Sequence, residues 1–170
     1  MRRTLASAAA LAAASLLLSG CGLRPLYAGG ANGAVAQSLA GIEVAPIPDR
    51  AGWLVRNALV DRLAAGGTTA PRYRLEVELD DQITGFGIRT DNAVTRERRT
   101  LRARYRLRDA GAAGTVLLDA TAGSDAGIDV VSSEYATIAA EQSALERLSG
   151  QIADQIVARI ALYATRTPRP

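Results

Sequence analysis

Tyr73-Arg74-Leu75-Glu76-Val77-Glu78-Leu79-Asp80 and, further on, Leu101-Arg102-Ala103-Arg104-Tyr105-Arg106-Leu107-Arg108 are the two stretches that decide the fold. In each, apolar and charged residues alternate without a break. Period two belongs to a β-strand with one buried and one wet face. The first strand puts Glu76, Glu78 and Asp80 on its wet face, and the second puts Arg102, Arg104, Arg106 and Arg108 there. A hairpin turning near Asp91 sets Asp80 opposite Arg102, Glu78 opposite Arg104 and Glu76 opposite Arg106. Such cross-strand pairs contribute about 0.2–1 kcal/mol each. The arginine row therefore reads first as a charge ladder, with an anion site as the alternative. Around Ile83 to Ile88 the alternation slips, and Gly85 and Gly87 there are expected to host a bulge.

Outward from the hairpin the rest of the fold takes shape. Gly41 to Ile47 reads as a short strand closed by Pro46 and Pro48. Asp49 is placed to cap a helix whose Val55, Leu59 and Leu63 recur every four residues, and Gly66-Gly67 to end it. This β-α-β unit is expected to cross over right-handedly. After a turn at Asp109 to Gly114, Thr115 to Thr121 gives another strand, continuing raggedly towards Val131. Ser132 or Ser133 then caps a long helix running to about Tyr163. Its stripe of Ile138, Leu145, Leu148, Ile152, Ile156, Ile160 and Tyr163 is the face that covers a sheet. The order is β-α-β-β-β-α, an α+β two-layer sandwich with two helices on one face of a small mixed sheet.

The N-terminus carries a different message. Arg2 and Arg3 precede an apolar run from Leu5 to Leu18, too short for a membrane span of about 20 residues. A small-residue cleavage site follows it, the layout of a secretory signal peptide. Twin-arginine export is a weaker reading of the Arg pair than an ordinary basic start. Leu18-Ser19-Gly20-Cys21 matches the lipobox of bacterial lipoprotein precursors at every position. That resemblance implies cleavage before Cys21 and lipidation of Cys21, and stable anchoring needs more than one acyl chain. Gly22, in place of Asp, favours the outer membrane by analogy with the sorting rule of enteric lipoproteins. Residues 1–20 are thus expected to be a signal peptide and 21–40 a lipidated N-terminus and flexible tether, Ala28 to Ala34 having linker composition. The folded domain is placed at 41–165, with a frayed tail at 166–170.

Composition narrows the chemistry. The 170 residues contain no His, one Cys and no Lys. Cys/His zinc sites and Ser-His-Asp, Cys-His or Ser-Lys nucleophile systems are excluded. No acidic pair stands out for carboxylate catalysis, so a hydrolase is disfavoured and neither cofactor nor metal is expected. Loss of Arg2 and Arg3 would lower the formal charge of +3 to +1, and no nucleic-acid partner is indicated.

Beyond the lipobox, the mature chain resembles the LptE family of lipopolysaccharide-assembly lipoproteins in its alphaproteobacterial form. The matching pieces are Cys21 to Tyr27, Ile47 to Arg50, Val55 to Leu59 with Asp61 to Leu63, Tyr73 to Leu75, Asp91, Arg96, Tyr105 to Leu107 and Ser133 to Ala136. The resemblance implies an α/β sandwich without enzymatic activity. It also implies a partner, the LptD β-barrel of the outer membrane, whose lumen the domain plugs while it supports barrel assembly and lipopolysaccharide delivery to the outer leaflet. The competing function is an auxiliary lipoprotein subunit of an envelope ABC-type lipid transporter. Lipopolysaccharide carries phosphates and acidic sugars, which forked guanidinium groups bind well. Arg89, Arg96, Arg98 and Arg99, gathered about the hairpin turn, are therefore the candidate lipopolysaccharide contacts. The alternatives are that they are solvated or pair with acids such as Asp91 and Glu97.

Overall fold

The computed structural model describes residue 39 and residues 41–64, 70–88, 94–111 and 114–166. Four strands and two helices follow in the expected order: β1 (Ile42–Val44), α1 (Asp49–Leu63), β2 (Tyr73–Ile88), β3 (Val94–Asp109), β4 (Val116–Asp129) and α2 (Glu134–Arg166). The sheet order is β1-β2-β3-β4, with β1 parallel to β2 and the remaining pairs antiparallel. Both helices lie on one face, so the fold is the α+β sandwich predicted by the alternation.

The long hairpin has the anticipated register, with Glu76 opposite Arg106, Glu78 opposite Arg104 and Asp80 opposite Arg102. Pairing runs from Tyr73–Asp109 to Ile88–Val94 without a slip, symmetric about position 91. The expected bulge at Gly85 and Gly87 is therefore absent. Gly87 instead adopts a positive φ of 75° and its carbonyl accepts a bond from the Thr95 hydroxyl at 2.6 Å. The irregularity lies at the other end, where the β3–β4 register shifts between Leu107 and Arg108. From there β4 is regular to Asp129, not ragged.

Several local boundaries differ from expectation. β1 is only three residues long, because Pro46 and Pro48 draw the chain out of the sheet after Val44. Pro48 occupies the N-cap position of α1, without a side-chain cap, and Asp49 is the first helical residue, at φ 66°. Asp tolerates that left-handed conformation better than most residues. Gly66 and Gly67 lie outside the described residues. Ser133 does cap α2, its Oγ accepting from the Ala136 N–H at 3.4 Å.

The core forms between the helices and the odd-numbered residues of β2 and β3. Val55, Leu59, Leu75, Leu101, Leu148, Ile152 and Ile156 are fully buried. Ile138 is not part of the stripe, because the first turn of α2 turns Thr137 inward and leaves Ile138 exposed. Leu39, which the sequence assigns to the tether, packs in the core at 3% exposure. Arg62 ties the helices together, donating from Nε to Asp154 at 2.6 Å and from Nη2 to the Gly150 carbonyl at 3.3 Å. The Asp154 carboxylate raises the Arg62 pKa.

Candidate functional site

The face of the sheet away from the helices is covered by no other element among the described residues, and its middle is charged. Even-numbered residues of β2 and β3 project there, joined by odd-numbered residues of β4. Arg102 reaches Asp125 at 3.2 Å, Arg104 reaches Asp119 at 2.9 Å, Arg106 reaches Glu78 at 3.1 Å and Arg108 reaches Glu76 at 2.8 Å. The expected ladder thus exists, but none of its three predicted pairs forms between residues directly opposite. Arg106 and Arg108 bond the next carboxylate along β2, and Arg102 and Arg104 turn to β4. A long guanidinium side chain reaches diagonal neighbours about 7–8 Å away, so opposition does not dictate pairing. Hydrogen bonding to Arg104 holds the Asp119 carboxyl below its ordinary range, and the Thr100 hydroxyl does the same for Asp125.

Asp119, Asp125 and Asp129 were missed as ladder members. Their signal was present: Asp119, Thr121, Gly123, Asp125, Gly127 and Asp129 alternate with Leu118, Ala120, Ala122, Ser124, Ala126 and Ile128. The small size of these residues hides a period-two pattern that bulkier side chains would advertise.

The four candidate lipid-contacting arginines are not brought together. Arg96 and Arg98 share the open face near the hairpin tip. Arg96 Nε donates to Asp129 at 2.9 Å, and the Arg98 guanidinium carbon lies 5.4 Å from the Phe86 ring centroid. Arg99 points to the opposite face, under α2. It grips Asp81 with two bonds, from Nε to Oδ1 (2.8 Å) and from Nη2 to Oδ2, and donates from Nη1 to the Glu141 carbonyl at 3.1 Å. With 13% of its side chain exposed it is a structural clamp on the end of the core. Arg89 lies outside the described residues. The same end of the molecule exposes Ile83, Phe86, Val94, Val131, Tyr135 and Ile138, with Tyr135 88% open to solvent. Among the described residues no cluster of acidic or sulfur ligands could hold a metal, and no helix is long and apolar enough to cross a membrane.

The family model of LptE, lipopolysaccharide-assembly, matches residues 39–160, the whole sandwich from Leu39 in the core to the last turns of α2. This chain belongs to the LptE family. Among solved structures, it is similar to a candidate lipoprotein from Caulobacter crescentus at 26% identity and a TM-score of 0.66, covering 78% of this chain and 97% of that one. A minor lipoprotein from Acinetobacter baumannii shares the fold at 16% identity and a TM-score of 0.60, over 77% and 98% of the two chains. Rare lipoprotein B from Shewanella oneidensis does so at 14% identity and a TM-score of 0.52, over 74% and 96%. No curated protein matches. The surfaces left uncovered among the described residues are the open, arginine- and carboxylate-bearing face of the sheet and the tip beside it, where apolar side chains are exposed.

Proposed function

We propose that this chain is an outer-membrane lipoprotein, anchored by acylated Cys21, that partners and plugs an LptD-type β-barrel. In that role it supports barrel assembly and lipopolysaccharide delivery to the outer leaflet. The observation that carries the reading is membership of the lipopolysaccharide-assembly family across the entire sandwich. The open face fits it physically: interleaved Arg and Asp/Glu side chains suit the polar lumen of an outer-membrane barrel. Arg96 and Arg98, with Arg89, are the proposed lipopolysaccharide contacts, and the Arg99 clamp leaves that residue a structural part.

A tagged chain purified in mild detergent tests the reading. It should bring down an outer-membrane barrel at one-to-one stoichiometry, and depletion of the chain should lower mature barrel and surface lipopolysaccharide. Normal levels of both after depletion would instead favour the auxiliary subunit of an ABC-type lipid transporter. Cys21→Ser should abolish incorporation of labelled fatty acid. Maturation and fractionation like the unaltered chain would overturn the anchor.

A further inference from the structure

β2 is an edge strand for most of its length. β1 pairs with it only at Tyr73–Leu75, and after the bond from the Ala45 N–H to the Leu75 carbonyl the chain leaves through Pro46. The direction of each main-chain group follows from two bonds at its base. The Arg72 carbonyl accepts from Ala110, on the β3 side, whereas the Tyr73 N–H donates to Gly41, on the β1 side. Because these directions alternate along a strand, Leu79, Asp81, Ile83 and Gly85 aim their N–H and C=O groups outward. Among the described residues no main-chain group meets them. On the opposite edge one residue, Gly123, is capped from a helix. There the side-chain amide of Gln155 on α2 takes both outward groups of Gly123, accepting from its N–H at 3.2 Å and donating to its carbonyl at 3.1 Å. An outward row left without such protection is a template for another strand.

The side chains along this edge define what would fit. On the open face Glu78 is 66% exposed. Asp80 bonds only the Gln82 amide among the described residues, since Arg102 opposite it has turned to Asp125. On the helix face a cavity of about 360 Å³ opens between the edge and the start of α1, bounded by Pro48, Arg50, Leu79, Asp81 and Arg99. The Asp81 carboxylate in its wall is already neutralised by Arg99. We propose that the Leu79–Gly85 edge of β2 accepts an extended partner strand in which basic residues alternate with aliphatic ones. The cations lie over Glu78 and Asp80, and an aliphatic side chain enters the cavity against Leu79 and Pro48. Main-chain bonds then supply affinity and the alternation supplies specificity. A second copy paired about Leu79 is a poor occupant, because that register sets Glu78 opposite Asp80, and in other registers the free edge offers these carboxylates no cation.

Hydrogen exchange on the mature protein tests this, with an eight-residue peptide of alternating arginine and valine as the probe and its glutamate–valine counterpart as the control. In the free protein the amides of Leu79, Asp81, Ile83 and Gly85 should exchange at least about tenfold faster than those of Asp80, Gln82 and Thr84. The basic peptide should slow the first set about tenfold, and the acidic one should not. Ile83→Pro removes one outward N–H without touching the ladder to β3, and should abolish this protection. Glu78→Gln with Asp80→Asn keeps every main-chain group and should weaken the basic peptide about tenfold, while the melting temperature falls only by what the exposed Arg106–Glu78 pair supplies. Outward amides already protected in the free protein would mean that the chain's own residues cover the edge, and would overturn the proposal. So would equal protection by the acidic peptide, or undiminished binding by either variant. None of these readouts involves the barrel, so their failure and that of the barrel reading are separate.

Discussion

At position 52 a side chain has nowhere to go. A methyl group on Gly52 would lie 2.6 Å from the carbonyl oxygen of Ile47, where the chain bends from β1 into α1. Gly→Ala in a helix ordinarily gains up to about 1 kcal/mol. Here the overlap with backbone reverses the sign, and Gly52→Ala should cost about 1–3 kcal/mol in urea unfolding. Glu97 makes the opposite kind of claim. Its Oε2 is buried without a partner, and burial followed by the neighbouring charge of Glu141 raises its pKa above the ordinary 4.5. A carboxyl with a raised folded pKa stabilises fully below its unfolded pKa, and that contribution is lost as pH rises through the folded value. Glu97→Gln should therefore melt higher than the unaltered chain at pH 7, the difference fading as pH falls towards 4. Equal melting at pH 7 would show that Glu97 carries no penalty.

The sheet ladder illustrates what one element can and cannot tell about another. Arg104 faces Glu78 across β2 but bonds Asp119 on β4. A double-mutant cycle should find clearly stronger coupling between Arg104 and its hydrogen-bonded partner Asp119 than between Arg104 and Glu78, which acts on it only through space. Because Asp119 and Asp125 have lowered pKa values, the ladder's contribution is present above their ordinary 3.8 and is lost as pH falls through the folded values. The hairpin register was legible in the sequence because alternation of apolar and charged residues fixes the face that Leu75, Leu101 and Tyr105 share, and a turn near Asp91 fixes which residues stand opposite. The ion pairs were not, since a flexible guanidinium chooses among three or four carboxylates by reach and twist. The position of Arg99 is legible in the same period: it is odd-numbered, like Leu101, and so belongs to the helix side. Nearness along the chain groups it with Arg96 and Arg98, whereas the period of two that marks the strand sets it on the other face. Arg99→Ala should accordingly cost about 2–3 kcal/mol of stability, for three guanidinium hydrogen bonds lost, two to Asp81 and one to the Glu141 carbonyl, and Asp81 left alone. Arg96→Ala with Arg98→Ala should leave stability nearly unchanged and weaken lipopolysaccharide binding by the mature protein.

Across the whole molecule, the described fold reaches one residue into the stretch that the sequence assigns to the tether. The 17 residues between Cys21 and Leu39 can span at most about 60 Å, fully extended. The sheet begins where Ile42 meets Tyr73, the full length of β2 from its Ile88 end. Leu39 is where the domain begins energetically. It is buried at 3% in the same core cluster as Val44, Leu59 and Leu75, and the family match starts there as well. A tether that merely connects would tolerate any substitution at this position, whereas a core residue would not. Leu39→Ala in the mature protein should cost about 2–5 kcal/mol, the range for emptying a buried leucine site. Gly29→Ala with Gly30→Ala in the linker should change stability by less than about 0.5 kcal/mol. Chemical denaturation of the three proteins decides the matter. A Leu39→Ala chain as stable as the linker variant would move the start of the domain to Gly41 and return residue 39 to the tether.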